Sequence, residues 1–402
     1  MYVEKINRPH FINWLDLWRD KDIIKVVTGI RRCGKTTLLD LYREKLIAEG
    51  IPATQIIAIN FEDPETPAFA TFRDAWKYLK SMMVTEERYY VFLDEVQIVP
   101  EFERFIDGVF AKKICDLYVT GSNAKFLSGE LATFLTGRYV EIQLHPLSFA
   151  EYCTVFPDKR PFELLPEYRR FGGFPMSAAL PQTATVQTDY LSGILNTILY
   201  KDILARNNIR DAELLKRLLK FIFDNIGNLL SVNRISGTFN ADGFSVTNKT
   251  VDSYLAMLED SFLVHRVQRY DIKGRETLKT LSKYYLADTG LRRLLVSDNN
   301  RDLGHILENI IYLELRRRFS EVYIGVFGNG EVDFVAIKEA TPTYVQVALT
   351  TLEESTLDRE LAPLLAIRDS YPKYLLTLDP LPPADEKGIK CMSVIDFLLD
   401  RA

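Results

Sequence analysis

Between the apolar run Ile23 to Thr28 and the helix-like Thr36-Thr37-Leu38-Leu39 lies Gly29-Ile30-Arg31-Arg32-Cys33-Gly34-Lys35-Thr36, which fits G-x-x-x-x-G-K-[ST]. Its place matters as much as its letters, because a glycine-rich turn from a strand into a helix aims backbone N–H groups and the positive helix end at one point. Such a point suits a phosphate: Lys35 spans β- and γ-oxygens, and the Thr36 hydroxyl is offered to Mg²⁺. Arg31 and Arg32 add two long cations, read as facing either a neighbouring subunit or acidic loops.

The surrounding pattern fixes the fold class. Near-continuous apolar runs at 23–28, 55–60, 89–93, 117–120 and 139–144 alternate with helical stretches, the pattern of a parallel sheet covered on both faces. The run Tyr90 to Leu93 ends in Asp94-Glu95. Asp94 is expected to hold Mg²⁺ through water, and Glu95 to orient and deprotonate the attacking water. A third strand ends in Thr120-Gly121-Ser122-Asn123, where Asn123 or Ser122 polarises the water or senses the γ-phosphate; a helix cap is the alternative reading of Asn123. Arg138, in Gly137-Arg138, is read as a guanidinium for the transition-state oxygens or as a surface ion pair. Asn60-Phe61-Glu62-Asp63 reads as a loop at another strand end.

After Pro146 the strand signal stops and 147–230 reads as helices, broken at Phe171-Gly172-Gly173-Phe174-Pro175. Helical spacing of Leu214, Leu215, Leu218, Leu219 and Ile222, a helix at 249–258 and β-like runs at 262–267 and 283–287 suggest a winged helix-turn-helix. A helix from Ile306 to Phe319 and strand-like runs at 321–327, 331–337 and 343–349 close the chain as a small α/β unit. The net charge of −5 excludes a chain that is basic throughout, but 261–320 holds 12 Lys and Arg against 7 Asp and Glu. Four scattered cysteines suggest neither a zinc site nor a disulfide framework, and no run approaches the ~20 apolar residues of a membrane span. The expectation is a cytoplasmic protein without a signal peptide or membrane partner.

Taken together, the runs Gly29 to Thr36, Asn60 to Asp63, Leu93 to Gln97, Thr120 to Asn123, Gly137 to Tyr139, Pro146 to Tyr152 and Gly172 to Pro175 resemble the AAA+ ATPases of the archaeal-type group common in prokaryotes. That resemblance implies an α/β fold: a P-loop NTPase parallel sheet with a helical lid, then a winged helix and a small nuclease-like α/β domain. The implied domains are an ATPase core at 1–150, a lid and linker at 151–210, a winged helix at 211–280 and a restriction-endonuclease-like domain at 281–402. It also places the strand ending at Asn123 between the phosphate-loop strand and the strand bearing Asp94. Residues Gly29, Ile30, Arg31, Arg32, Cys33, Gly34, Lys35, Thr36 and Thr37 would hold ATP, Thr36 and Asp94 the Mg²⁺, and Arg138 would serve a neighbouring subunit of a homo-oligomer.

In the nuclease-like end Glu308 and Asp333 match the metal-binding carboxylates of that fold, and with Glu331 up to three carboxylates are expected to converge. Gln346 and Ala348 replace a carboxylate and a lysine, so this domain is expected to be inactive. The sequence therefore leads to an ATP hydrolase whose nucleotide state repositions the C-terminal module on nucleic acid. An ATP-gated protein-interaction switch is the second reading, and a metal-dependent nuclease the third. On the winged helix, Lys249, Asp252 and Ser253 face outward, and Arg266, Arg269 and Lys273 lie on the ribbon beyond.

Overall fold

Five runs rich in β-branched and aromatic residues form β1 (Ile24–Thr28), β2 (Ile56–Asn60), β3 (Tyr89–Asp94), β4 (Cys115–Gly121) and β5 (Tyr139–Gln143). They make one parallel sheet in the order β2-β3-β4-β1-β5, which confirms that the strand leading to Asn123 lies between the other two site-bearing strands. This is a computed structural model, and it describes residues 5–124, 137–207, 209, 211–297, 302–328 and 330–401. The chain divides into two compact units, Met1–Pro146 with Asp260–Phe262, and Leu147–Glu259 with Leu263–Ala402.

In the first unit, helices α1 (Pro9–Trp18), α2 (Lys35–Ala48), α3 (Phe72–Ser81) and α4 (Phe102–Ala111) cover the sheet. One face packs Val26, Ile57, Ile59, Val91, Leu93 and Val119 against Ala75, Leu79, Phe105, Ile106 and Val109. The other face stacks Phe92 on Tyr118, with Tyr42 of α2 against both. Lys25, which interrupts the first apolar run, is fully buried and pairs with Asp116 of β4. With both sheet faces buried, the polar strand ends are left at the carboxyl edge, where open α/β sheets gather ligands.

The second unit begins with the expected helices: α5 (Phe149–Val155), α6 (Pro161–Phe171), α7 (Pro175–Ala179), α8 (Ala184–Thr197) and α9 (Ala212–Asp224). The breaker at 171–175 has a physical cause. Gly172 ends α6 at φ 78°, and a Cβ there would lie 1.7 Å from Asp288 Oδ1. The Asp288 carboxylate accepts the Gly173 N–H at 2.7 Å, so this turn is locked from 115 residues downstream.

Helices α10 (Val232–Ala241) and α11 (Asn248–Asp260) follow, then the ribbon β6 (Val264–Asp271) and β7 (Glu276–Leu286). The ribbon is one edge of a seven-stranded mixed sheet in which Arg269, Tyr270 and Asp271 pair with Ile324, Gly325 and Val326 of β8 (Glu321–Phe327); the order is β12 (Ile389–Ser393), β11 (Lys373–Thr377), β10 (Thr341–Ala348), β9 (Gly330–Lys338), β8, β6, β7. The expected boundary at 280/281 therefore falls inside β7. Pairing removes the open strand edge that an isolated ribbon would expose. The remaining elements are α12 (Leu303–Arg318), β9 (Gly330–Lys338), β10 (Thr341–Ala348), α13 (Glu354–Ala366), β11 (Lys373–Thr377), β12 (Ile389–Ser393) and α14 (Val394–Leu398). Of these, the last four carry no clear signal in the sequence pattern.

Candidate active site

The phosphate loop leaves β1 at Gly29 and enters α2 at Lys35, as its spacing predicts. Two glycines make the curl possible. Gly29 (φ 146°) has no room for a Cβ, which would meet Leu144 O at 2.1 Å, and Gly34 caps α2 at φ 103°. Cys33 is buried beneath the loop. Arg8, a residue the motif reading passed over, supports it from below, donating to Cys33 O at 3.3 Å and His145 O at 2.9 Å while itself buried. Lys35 Nζ is folded inward, donating to Gly29 O at 3.0 Å, and lies 3.5 Å from Glu95 Oε1. Thr37, next on α2, is half-buried.

Strand β3 brings the two carboxylates to this loop. Thr36 Oγ1 donates to Asp94 Oδ2 at 2.6 Å, and Thr120 Oγ1 donates to Asp94 Oδ1. Burial pushes the Asp94 carboxyl above its ordinary range, against the pull of both hydroxyls. Glu95 shifts the other way. Its burial would raise it, but Lys35, the Gln97 amide and Arg31 outweigh that and hold it below the usual carboxylate range. A buried, ionised Glu95 beside a lysine is in the state a water-handling base needs. The residue adopts a left-handed backbone, φ 52° and ψ 43°, fixed by its N–H donating to Thr120 Oγ1 at 2.9 Å.

Thr120 and Gln97 also join this cluster, and the sequence reading gave neither a role. Thr120 joins both carboxylates, and Gln97 Nε2 donates to Glu95 Oε2. Both stand in motifs; the Thr120 contacts cross from β4 to β3 and only the parallel pairing reveals them, whereas Gln97 is two residues from Glu95 and crosses only in its reach to Ser122. Ser122 and Asn123 are buried just past the end of β4, as expected for a loop at this edge. Arg31 settles one open reading: NH1 donates to both carboxylate oxygens of Glu62, at 2.9 and 3.1 Å, so this cation meets the acidic loop after β2. Arg32 is exposed at φ 69°.

Arg138 is not brought to the cluster. It precedes β5, whose first residue pairs with Ile24 at the start of β1, whereas the phosphate loop leaves the other end of β1. Five residues of strand, about 16 Å of rise, separate the two ends. Its half-exposed guanidinium pairs with Asp107 of α4 at 2.6 Å.

The Thr36 hydroxyl and Asp94 carboxylate form a pair of hard oxygen donors at the mouth of the loop, the donor set that suits Mg²⁺ beside phosphate oxygens. The residues present fit both nucleotide and metal.

Of the three carboxylates expected to converge in the second unit, Glu308 and Glu331 meet at an internal cation, and among the described residues no three His, Cys, Asp or Glu side chains are grouped so as to hold a metal ion. Lys283 Nζ lies 3.0 Å from Glu308 Oε1 and 3.0 Å from Glu331 Oε1, and Tyr285 also donates to Glu308. Asp333 Oδ2 accepts from Val347 N at 2.9 Å. Gln346 is bonded at both ends, to Asp333 N and to Glu360. The sequence reading named Glu308, Glu331 and Asp333 but not Glu360, and it overlooked the lysine, which sits on a run read as part of the winged-helix ribbon.

With this geometry in hand, comparison with known proteins gives three results. An AAA domain matches residues 21–153, and a domain of unknown function (DUF8612) matches residues 162–302. An uncharacterized protein of Haemophilus influenzae is 37% identical over 401 residues, 98% of each chain, and an uncharacterized protein of Methanocaldococcus jannaschii is 28% identical over 84% of this chain and 77% of that one. Among solved structures, the Walker-type ATPase of Pyrococcus abyssi superposes with a TM-score of 0.50 at 14% identity, over 72% of this chain and 95% of that one.

Proposed function

The chain belongs to the family of its Haemophilus influenzae relative and has an AAA+ P-loop ATPase fold, and from that premise we propose that it is a Mg²⁺-dependent ATP hydrolase. The observation that carries this is the junction of loop and strand: Thr36 bonded to Asp94, and Lys35 beside an ionised Glu95. In this reading the loop amides and Lys35 bind the phosphates, and Thr36 with Asp94 holds the metal. The metal, when bound, supplies positive charge to the phosphate oxygens. Glu95 takes the proton of the attacking water, and Asn123 sits where the γ-phosphate end of the nucleotide is read. Arg138, which precedes β5 at the end of the sheet away from the phosphate loop, acts in this reading on the nucleotide of a neighbouring copy.

The downstream role follows from the same proposal. ATP turnover drives the unit beginning at Leu147, with nucleic acid as the leading partner, through the exposed Lys249 face of α11. One observation favours the second reading, an ATP-gated protein-interaction switch with little turnover. Much of the basic charge at 261–320 is paired internally: Arg266 faces Asp252, Lys283 bridges Glu308 and Glu331, Arg292 pairs with Asp302, and Arg317 and Arg318 pair with Glu314. Phosphate release from Mg·ATP, measured alone and with duplex DNA, single-stranded DNA or RNA, separates the two. The hydrolase reading expects turnover that nucleic acid stimulates, with strands left uncut in Mg²⁺ or Mn²⁺ because Lys283 occupies the carboxylate cluster. Turnover indifferent to all three polymers supports the switch, and metal-dependent cutting lost in Asp333→Ala supports a nuclease.

A further inference from the structure

We propose that Gln97 is the positioning residue that divides the labour of the two Glu95 oxygens and couples them to the loop after β4. The inference rests on the ATPase reading and goes beyond it. The side chain of Gln97 stands on a short turn, Val96–Ile98, that begins directly after Glu95. Its Nε2 donates to Glu95 Oε2 and reaches Ser122 Oγ at 3.4 Å, so one amide spans the strand bearing the base and the strand leading to Asn123. The other carboxylate oxygen, Oε1, is the one 3.5 Å from Lys35 Nζ.

This split has a consequence once the lysine is engaged by phosphate. Oε1 then loses its partner and becomes the free acceptor for water, while Oε2 stays tethered and keeps the carboxylate plane fixed. Without the tether the carboxylate rotates, and the acceptor is no longer held in one place. The Glu95 backbone is already pinned by Thr120, so the side-chain torsions are the freedom left to control. Gln97 Oε1 is buried and accepts no hydrogen bond. A buried acceptor of this kind is costly unless a donor joins it when the site fills, which the attacking water provides. Ser122, at the other end of the amide, makes the tether sensitive to the loop in which Asn123 lies.

The test uses the full chain with Gln97→Met, which keeps length and packing but removes the donor, and Gln97→Ala beside it. Both should lower kcat by about 10–100-fold, the range for groups that orient a catalytic ligand or base. KM for ATP and the Kd of a fluorescent ATPγS analogue should stay within about twofold, because ground-state contacts are untouched. Trapping of ADP with aluminium fluoride, which reports on the in-line water position, should weaken in step with kcat. Ser122→Ala added to Gln97→Met should cost little more, since the two act through one bond. A Gln97→Met protein with wild-type kcat, or one whose nucleotide affinity falls as far as its kcat, overturns the proposal. Glu95→Gln separates the two levels: if it is inactive while Gln97→Met is not, only this inference fails; if it hydrolyses ATP normally, the assignment of Glu95 as the base fails with it.

Discussion

At the scale of single residues, the least expected feature is a charge in the middle of the sheet. Lys25 and Asp116 are both excluded from solvent, and Asp116 also accepts from Tyr118 and from the Asp20 N–H. Removing one partner leaves the other uncompensated, so Asp116→Ala should lower stability by about 3–5 kcal/mol in denaturant unfolding, whereas Lys25→Met with Asp116→Leu should recover much of it. Equal losses in the single and double variants would show that the pair contributes little through its charges. Sequence alone marked Lys25 as an interruption. It did not reveal the partner, because Asp116 is 91 residues away and reached only through the parallel pairing of β1 with β4. The same limit separates Lys35, Thr36, Asp94 and Glu95 from Thr120 and Gln97. The first four are adjacent letters of short motifs whose chemistry can be stated from spacing, while the role of Thr120 depends on which strand lies next to which, and that of Gln97 on the direction its side chain takes from a turn two residues past Glu95.

At the scale of elements, the Gly-Gly turn after α6 and the Asp288 that locks it were read separately, as a breaker and as nothing. Burial of Asp288 raises its carboxyl from 3.8 to about 7, although two backbone N–H groups, of Gly173 and Gly290, oppose the shift. The folded state thus keeps a proton that the unfolded chain has released between about pH 4 and pH 7. Stability from this group is present below that window and is lost as pH rises through it, with a slope of at most about 1.4 kcal/mol per pH unit. Asp333, pushed up to about 8 by burial and by Glu308, acts in the same direction. Depressed carboxylates such as Glu95 act the other way, so the test is the difference between proteins: the thermal midpoint of Asp288→Asn should gain on that of the wild type as pH rises from 4 to 7. A difference that stays constant across this range would contradict the assignment. Elements with strong periodicity, the five parallel strands and helices such as α9 and α11, were legible in the sequence. The ribbon was legible as two strands but not as a sheet edge, since its pairing with β8 is carried by backbone groups that every residue has.

At the scale of the whole molecule, the chain carries an ATPase fold and then a second unit with its own mixed sheet. No helix among the described residues is long and apolar enough to cross a membrane. Arg138, pairing with Asp107 at the far end of its own sheet, is expected to work on a neighbour's nucleotide. Mixing Lys35→Ala with Arg138→Ala should then restore part of the hydrolysis that each lacks alone, and a mixture that forms hetero-oligomers yet stays inactive would assign Arg138 to the Asp107 ion pair instead. ATP binding and ATP turnover, followed in parallel for two variants, test the site itself apart from assembly or partner. Lys35→Ala should lose tight binding, because it removes the cation that meets the phosphates. Glu95→Gln should bind ATP as the wild type does and lose turnover by about 10²–10⁴-fold, because it removes only the group that handles water. A Glu95→Gln protein that hydrolyses ATP at the wild-type rate would contradict the account.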